Sequence, residues 1–224
     1  METRSGQAGD PVTEALYRAA VHGDAEAVRA LLAEGADPDL EHDEEGLPLC
    51  AAASWGHLAA VLALLAGGAD PDLREDVARN PMTALHWAAA KGNLETVTAL
   101  LAHGADPNIP GGAGNTALWH AAGHGAAEVV RVLLAHGADP AAPGASGVTP
   151  LEQARYWAVR DIETELRREA ESIAGPGTTV AVRREPDRVV AETRDGDGEL
   201  RSERYLFTGH AEIVRLLEAA LRHP

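Results

Sequence analysis

The chain has 224 residues, 45% apolar, 24% charged and only 4% aromatic, the composition of an ordinary globular protein. It carries 35 acidic against 19 basic residues, a net charge of −16, and that field repels a nucleic-acid duplex or an anionic membrane. A single cysteine, Cys50, leaves no internal disulfide, and neither a run of about 18 apolar residues nor an apolar leader is present, so a cytoplasmic chain is expected.

With so few aromatics, the core must be built of Ala, Leu and Val, which suit close, repeated helix packing. Lys91 is the only lysine among the 19 basic residues, a bias of GC-rich bacterial genomes. Charge is uneven. Residues 1–150 hold 20 acidic and 7 basic residues, whereas residues 151–224 hold 15 and 12, which points to two regions with different surfaces.

After a polar tail at 1–12, the chain repeats itself. Gly-Ala-Asp-Pro begins at Gly35, Gly68, Gly104 and Gly137, at spacings of 33, 36 and 33 residues. Each copy follows a short helical pattern in which Val28, Val61, Val97 and Val130 are equivalent, as are the leucine pairs 31/32, 64/65, 100/101 and 133/134. Spacings of three and four put these on one apolar stripe. One helix pair cannot bury such a stripe, but a stack of pairs can. An earlier helix in each unit ends in glycine: LYRAAVHG, LCAAASWG, LHWAAAKG and LWHAAGHG. Gly35, Gly68, Gly104 and Gly137 stand where a helix stop needs a positive φ, and the following aspartates can bond turn amides. Residues 73–82 contain three extra positions between the second and third units.

The fifth unit opens with SGVTPLEQARYW, yet its Gly-His step comes only at Gly209-His210, followed by AEIVRLLEAAL. The spacing of Leu151, Ala154, Ala158, Ile162, Leu166, Ala170 and Ile173 predicts one helix running to about Ser172. TTVAVRR, RVVAETR and ELRSERYLF predict three strands, with turns at Pro186-Asp187 and Asp195-Gly196-Asp197-Gly198. Their apolar residues are Val180, Val182, Val189, Ala191, Leu200, Tyr205 and Phe207. An antiparallel meander is expected to pack on Ile162, Leu166 and Ile173. The layout is therefore a tail (1–12), repeat units (13–158), an insertion (159–208) and a closing helix (209–224) that serves as a polar cap.

Thr83-Ala84-Leu85-His86 and Thr149-Pro150-Leu151 resemble the Thr-Pro-Leu-His signature of the ankyrin repeat, and the resemblance spans 13–158 and 209–221. It implies a mainly α solenoid of about five helix-turn-helix units, here with a small helix-plus-β-meander insertion in the last. It further implies a noncatalytic scaffold that binds a partner protein on its concave face. In that family contacts come from the two residues before each first-helix glycine and from the turn tips. Carried over, the helix positions are Val21 and His22, Ser54 and Trp55, Ala90 and Lys91, Gly123 and His124, and Tyr156 and Trp157. The turn tips are Asp43, Glu44, Arg79, Asn80, Met82, Asn115 and Ser146. Trp55 is the sharpest candidate, because a tryptophan that need not be buried is a binding anchor.

The sequence also departs from the family pattern. Glu45 replaces a turn glycine, with Gly46 one position late, and Cys50 and Trp119 replace the signature histidine. The turns entering those units are expected to be held differently. Cys50, among alanines, reads as a small buried hydrophobe.

Other chemistry finds little support. A calcium loop around Asp195, Asp197 and Glu199 would put Thr193 first and Arg204 twelfth, where carboxylates are required. His103 and His136 recur 33 residues apart, but stacked repeats hold equivalent side chains about 10 Å apart, too far for one zinc ion. No metal, cofactor, nucleic acid, membrane or small-molecule substrate is inferred. Residues 1–76 hold 16 acidic and 4 basic residues, with Glu41, Asp43, Glu44 and Glu45 at a turn tip, which favours a partner with a basic surface. A second reading makes the chain a regulatory or accessory subunit acting on an enzyme through residues 159–208. A third places an enzyme site in that insertion, although it lacks Cys, Lys and His.

Overall fold

The computed structural model describes residues 11–41, 46–75, 81–144 and 146–222. The repeated pattern becomes five pairs of short antiparallel helices. These are α1 (Pro11–His22) with α2 (Ala25–Ala33), α3 (Pro48–Trp55) with α4 (Leu58–Ala66), and α5 (Ala84–Ala90) with α6 (Leu94–Ala102). Then come α7 (Ala117–His124) with α8 (Ala127–Ala135), and α9 (Pro150–Ala158) with α11 (His210–Arg222). Between α9 and α11 lie α10 (Ile162–Ile173) and the strands β1 (Thr179–Arg184), β2 (Arg188–Arg194) and β3 (Leu200–Phe207).

Helices this short are marginal in isolation, so stacking must hold them. First helices pack in a row, α1 on α3 on α5 on α7 on α9, and the second helices form a parallel row ending in α11. Val28, Val61, Leu64, Val97, Leu100, Val130 and Leu133 lie wholly buried between the units. The buried alanine pairs 52/53, 88/89 and 121/122 allow the close approach of the first helices.

Polar groups in the turns set the register. Gly35, Gly68, Gly104 and Gly137 take φ of +97°, +96°, +91° and +85°, as the helix stops require. Asp37 accepts from the Asp39 amide at 3.0 Å, and Asp70, Asp106 and Asp139 repeat that bond. The next acceptor along each turn reaches the following unit: Asp39 to the Asp70 amide (2.9 Å), Asp72 to that of Asp106 (2.8 Å) and Asn108 to that of Asp139 (2.8 Å).

The signature histidine and its replacements do one job. His86 Nδ1 faces the Thr83 amide and hydroxyl, at 3.2 and 2.8 Å, which assigns the proton to Nε2. Nε2 then donates to the Asn115 carbonyl at 3.1 Å, just ahead of the next unit's Thr116. Trp119 Nε1 donates to the equivalent Val148 carbonyl at 3.0 Å, and Cys50 Sγ points at Met82 O at 3.7 Å. The entering turns are thus held at the same carbonyl by three different donors. Cys50 is buried, and that burial pushes its thiol pKa well up.

One expectation fails. The long helix predicted to about Ser172 is two helices, α9 ending at Ala158 and α10 starting at Ile162. Asp161 caps the second by accepting from the Glu163 amide (3.2 Å) and the Thr164 hydroxyl (2.6 Å). The apolar spacing runs on in phase across the break, which hides it.

The meander forms as expected, in the order β1-β2-β3, antiparallel throughout, with Val182 opposite Ala191 and Val189 opposite Leu206. One face buries Val189 and Ala191, with Val180, Val182 and Leu206, against Leu166, Ala170 and Ile162 of α10. One predicted member of this core stays outside it: Ile173, in the last turn of α10, is 56% exposed. Leu200, at the start of β3, is also exposed. Tyr205 and Phe207 alternate onto the opposite face and meet the solenoid instead. Among the described residues, no helix is long and apolar enough to cross a membrane.

Candidate interaction surface

Stacking brings the C-terminal ends of the first helices into one row, which carries His22, Trp55, Lys91, His124 and Trp157 at equivalent positions. Their surroundings differ sharply. His22 is exposed, its Nδ1 2.7 Å from the Arg18 carbonyl. Trp55 is 68% exposed, the third unit's Lys91 also faces solvent, and the Lys91 carbonyl accepts a bond from the Tyr205 hydroxyl at 3.1 Å.

From the fourth unit onward the row is covered. The His124 ring meets Tyr205 and Phe207 edge-on, at centroid distances of 5.2 and 5.4 Å. Burial first, then the charges of Lys91 and His210, lower its pKa to about 4, so the ring is neutral at neutral pH. Trp157 is half-buried and stacks at 6.2 Å on His210 of α11. Tyr156 stays half exposed, with the Arg160 guanidinium 3.9 Å above its ring.

Gly92 and Gly125, the equivalent glycines of units three and four, make this cover possible. The Phe207 ring lies against Gly92, and the Phe207 carbonyl against Gly125, where a Cβ would have no room. Both glycines also hold positive φ, +67° and +83°, so a side chain is doubly disfavoured. Two open clefts border β3. One, of about 560 Å³, is lined by Leu94, Ala127, Asp187, Thr208 and Arg215. The other, of about 460 Å³, is lined by Trp87, Lys91, His124, Leu166, Glu169 and Arg204.

The turn-tip candidates fare differently. Asp43, Glu44, Arg79 and Asn80 lie outside the described residues. Met82 does not sit on the surface: it is 3% exposed, with its carbonyl accepting from Cys50 and from the Glu75 amide. Asn115 is half-buried, its carbonyl held by His86 and its side chain against Gly144. Ser146 is exposed.

Three features escaped the sequence reading. Glu75, only 6% exposed, accepts from Trp87 Nε1 at 2.6 Å, and burial raises its carboxyl pKa. The three extra residues at 73–82 were the only signal. The residue after the first-helix glycine also ties units two, three and five to the one before, with His57 Nε2 donating to Val21 O (3.0 Å), Asn93 to Ala53 O (3.2 Å) and His210 Nε2 to Gly123 O (3.0 Å). Finally, the apolar pattern of β3 did not reveal that Tyr205 and Phe207 would land on the first-helix row. No group of three or more His, Cys, Asp or Glu suited to a metal occurs among the described residues.

Stacked helix pairs tied by a turn ladder, with a face of equivalent side chains, define a helical-repeat solenoid. The family model for ankyrin repeats (3 copies) matches residues 16–111, 51–144 and 85–162, and the chain belongs to the ankyrin-repeat family. Ankyrin repeats generally mediate protein–protein interaction and are typically noncatalytic. A search of curated proteins finds no match to this chain.

Proposed function

We propose that this chain is a noncatalytic scaffold that holds a partner protein on the concave face of its repeats, through the open half formed by the first three units. The observation that carries the reading is Trp55. A tryptophan 68% exposed, in the row whose fourth-unit equivalent is covered, is a large rigid apolar surface that the described residues leave open. His22 and Lys91 flank it in the row and supply polar contacts. The 16 acidic residues against 4 basic within 1–76 favour a partner with a basic surface, whose association they would accelerate.

The test begins with capture of a partner from the native cell, followed by titration with purified protein. Trp55→Ala should weaken binding by about 2 kcal/mol or more, the effect of a central anchor, while leaving the fold intact. Raising the salt concentration should slow association more than it speeds dissociation. Binding indifferent to Trp55→Ala would overturn the reading, and a salt-independent on-rate would overturn the basic partner.

A further inference from the structure

The insertion and the solenoid have separate apolar cores. One runs from Leu16 to Leu217 through the stacked helices. The other contains Leu166, Ala170, Val189 and Ala191, with Ile162, Val180, Val182 and Leu206 around them. The insertion also pairs many of its charged side chains with one another: Arg204 with Glu169, Arg184 with Glu163, and Arg183 and Arg194 with Glu192. Two short connections join it to the repeats, the break at 159–161 and the step at Thr208-Gly209. Lifting the insertion away would therefore leave both cores closed.

The contact between the two is narrow. It is centred on Phe207 over Gly92 and Gly125, the Tyr205 hydroxyl on the Lys91 carbonyl, and the two rings against His124. Open clefts of about 560 and 460 Å³ border it. Two buried nitrogens here, His124 Nε2 and His210 Nδ1, have no hydrogen-bond partner among the described residues. A buried polar atom without a partner penalises the docked state, and water would satisfy it on opening. What the contact covers is the continuation of the row that carries Trp55.

We propose that β3 is a releasable strap: Tyr205 and Phe207, seated against Gly92 at the edge of unit three, occupy the inner-face position of unit four as an intramolecular ligand and withhold it from a protein partner until the strap lifts. This rests on the reading that partners use the concave face. Its device is a competition between a segment of the chain and a partner for one surface, so the docked population sets the apparent affinity. A permanent cap, inseparable from the fourth unit, is the opposing account.

Hydrogen exchange at the C2 position of the His124 ring in the full chain, followed by mass spectrometry across a denaturant series, separates the two, because lifting the insertion bares this ring while β3 stays paired with β2. A strap predicts that the ring exchanges through an opening at least ~10-fold more frequent than the one that exposes the α5–α8 interior amides, with weak denaturant dependence. Phe207→Ala should raise that opening frequency further and leave the α5–α8 interior unchanged. If this variant fails to fold, exchange in the wild type still decides. Exchange of the His124 ring only through global unfolding would overturn the proposal. So would a captured partner that binds Phe207→Ala and wild type equally, where up to ~10-fold tighter binding to the variant is expected for a strap docked about 90% of the time. Loss of the Trp55 effect on binding would undo the concave-face reading while leaving the exchange result standing.

Discussion

Units one to three and units four to five are built on the same pattern and present opposite surfaces. In the first group His22, Trp55 and Lys91 face solvent, and in the second His124 and Trp157 are shielded by β3 and α11. The repeat fixes where an inner-face side chain points, whereas its exposure is decided by what the interrupted unit sends back across it. Glycine at positions 92 and 125, needed in any case for a positive φ, provides the flat site on which Phe207 rests.

The largest expected effect tests whether this difference stops at the surface. Leu100 and Leu133 are wholly buried, one under the open half and one under the covered half. Leu→Ala at either should cost about 2–5 kcal/mol in denaturant melts, because each leaves a cavity between stacked units. Leu31, only half-buried in the first unit, should cost less, because less of its side chain leaves water on folding. A loss below about 0.5 kcal/mol at Leu100 or Leu133 would mean that the stacking register is wrong.

A smaller effect comes from the buried histidines. His86, His120 and His124 all have pKa values lowered to about 4, chiefly by burial. The unfolded chain takes up these protons near pH 6.5, before the folded one can, so stability falls as pH drops through that value and the loss levels off near pH 4. His124→Gln removes one of the three, so its stability should decline less than that of wild type between pH 6.5 and 4, as read from urea midpoints. An equal decline would place His124 in water rather than under Tyr205 and Phe207.

The smallest expected effect on the repeats comes from the boldest change. Replacing residues 160–208 with a short Gly-containing turn should leave a folded, cooperative solenoid, because the closing entropy of a loop depends only weakly on its length. The α9–α11 packing and the Trp157–His210 stack bring the flanking ends together. Helical circular dichroism with a sharp thermal transition is the expected outcome. Loss of cooperativity would make the meander part of the fourth unit's structure.

Much of this architecture is legible in the sequence because identical chemistry recurs at a fixed spacing. Val28, Val61, Val97 and Val130, the positive-φ glycines and the turn aspartates each announce their place four times over. Legibility fails where a feature occurs once. Asp161 caps a new helix, yet the apolar spacing continues undisturbed from Ala158 to Ile162, and periodicity cannot register a break that preserves phase. Met82 looks like a turn tip by position, but it is buried, its carbonyl accepting from Cys50 and from the amide of Glu75, whose carboxylate holds Trp87. The candidate row was readable from the glycines it precedes. The covering of His124 was not, since it joins residues 81 and 83 positions apart, and strand alternation specifies only that Tyr205 and Phe207 share a face.

Chemical labelling of histidines with diethylpyrocarbonate, resolved by mass spectrometry at neutral pH, tests the contrast between the two halves most directly. His22 and His124 occupy the same position in their units and differ in what lies over them. The account predicts rapid modification of His22 and protection of His124 by at least ~10-fold, with protection lost in Phe207→Ala. Equal rates at the two rings in the folded wild-type protein would contradict it.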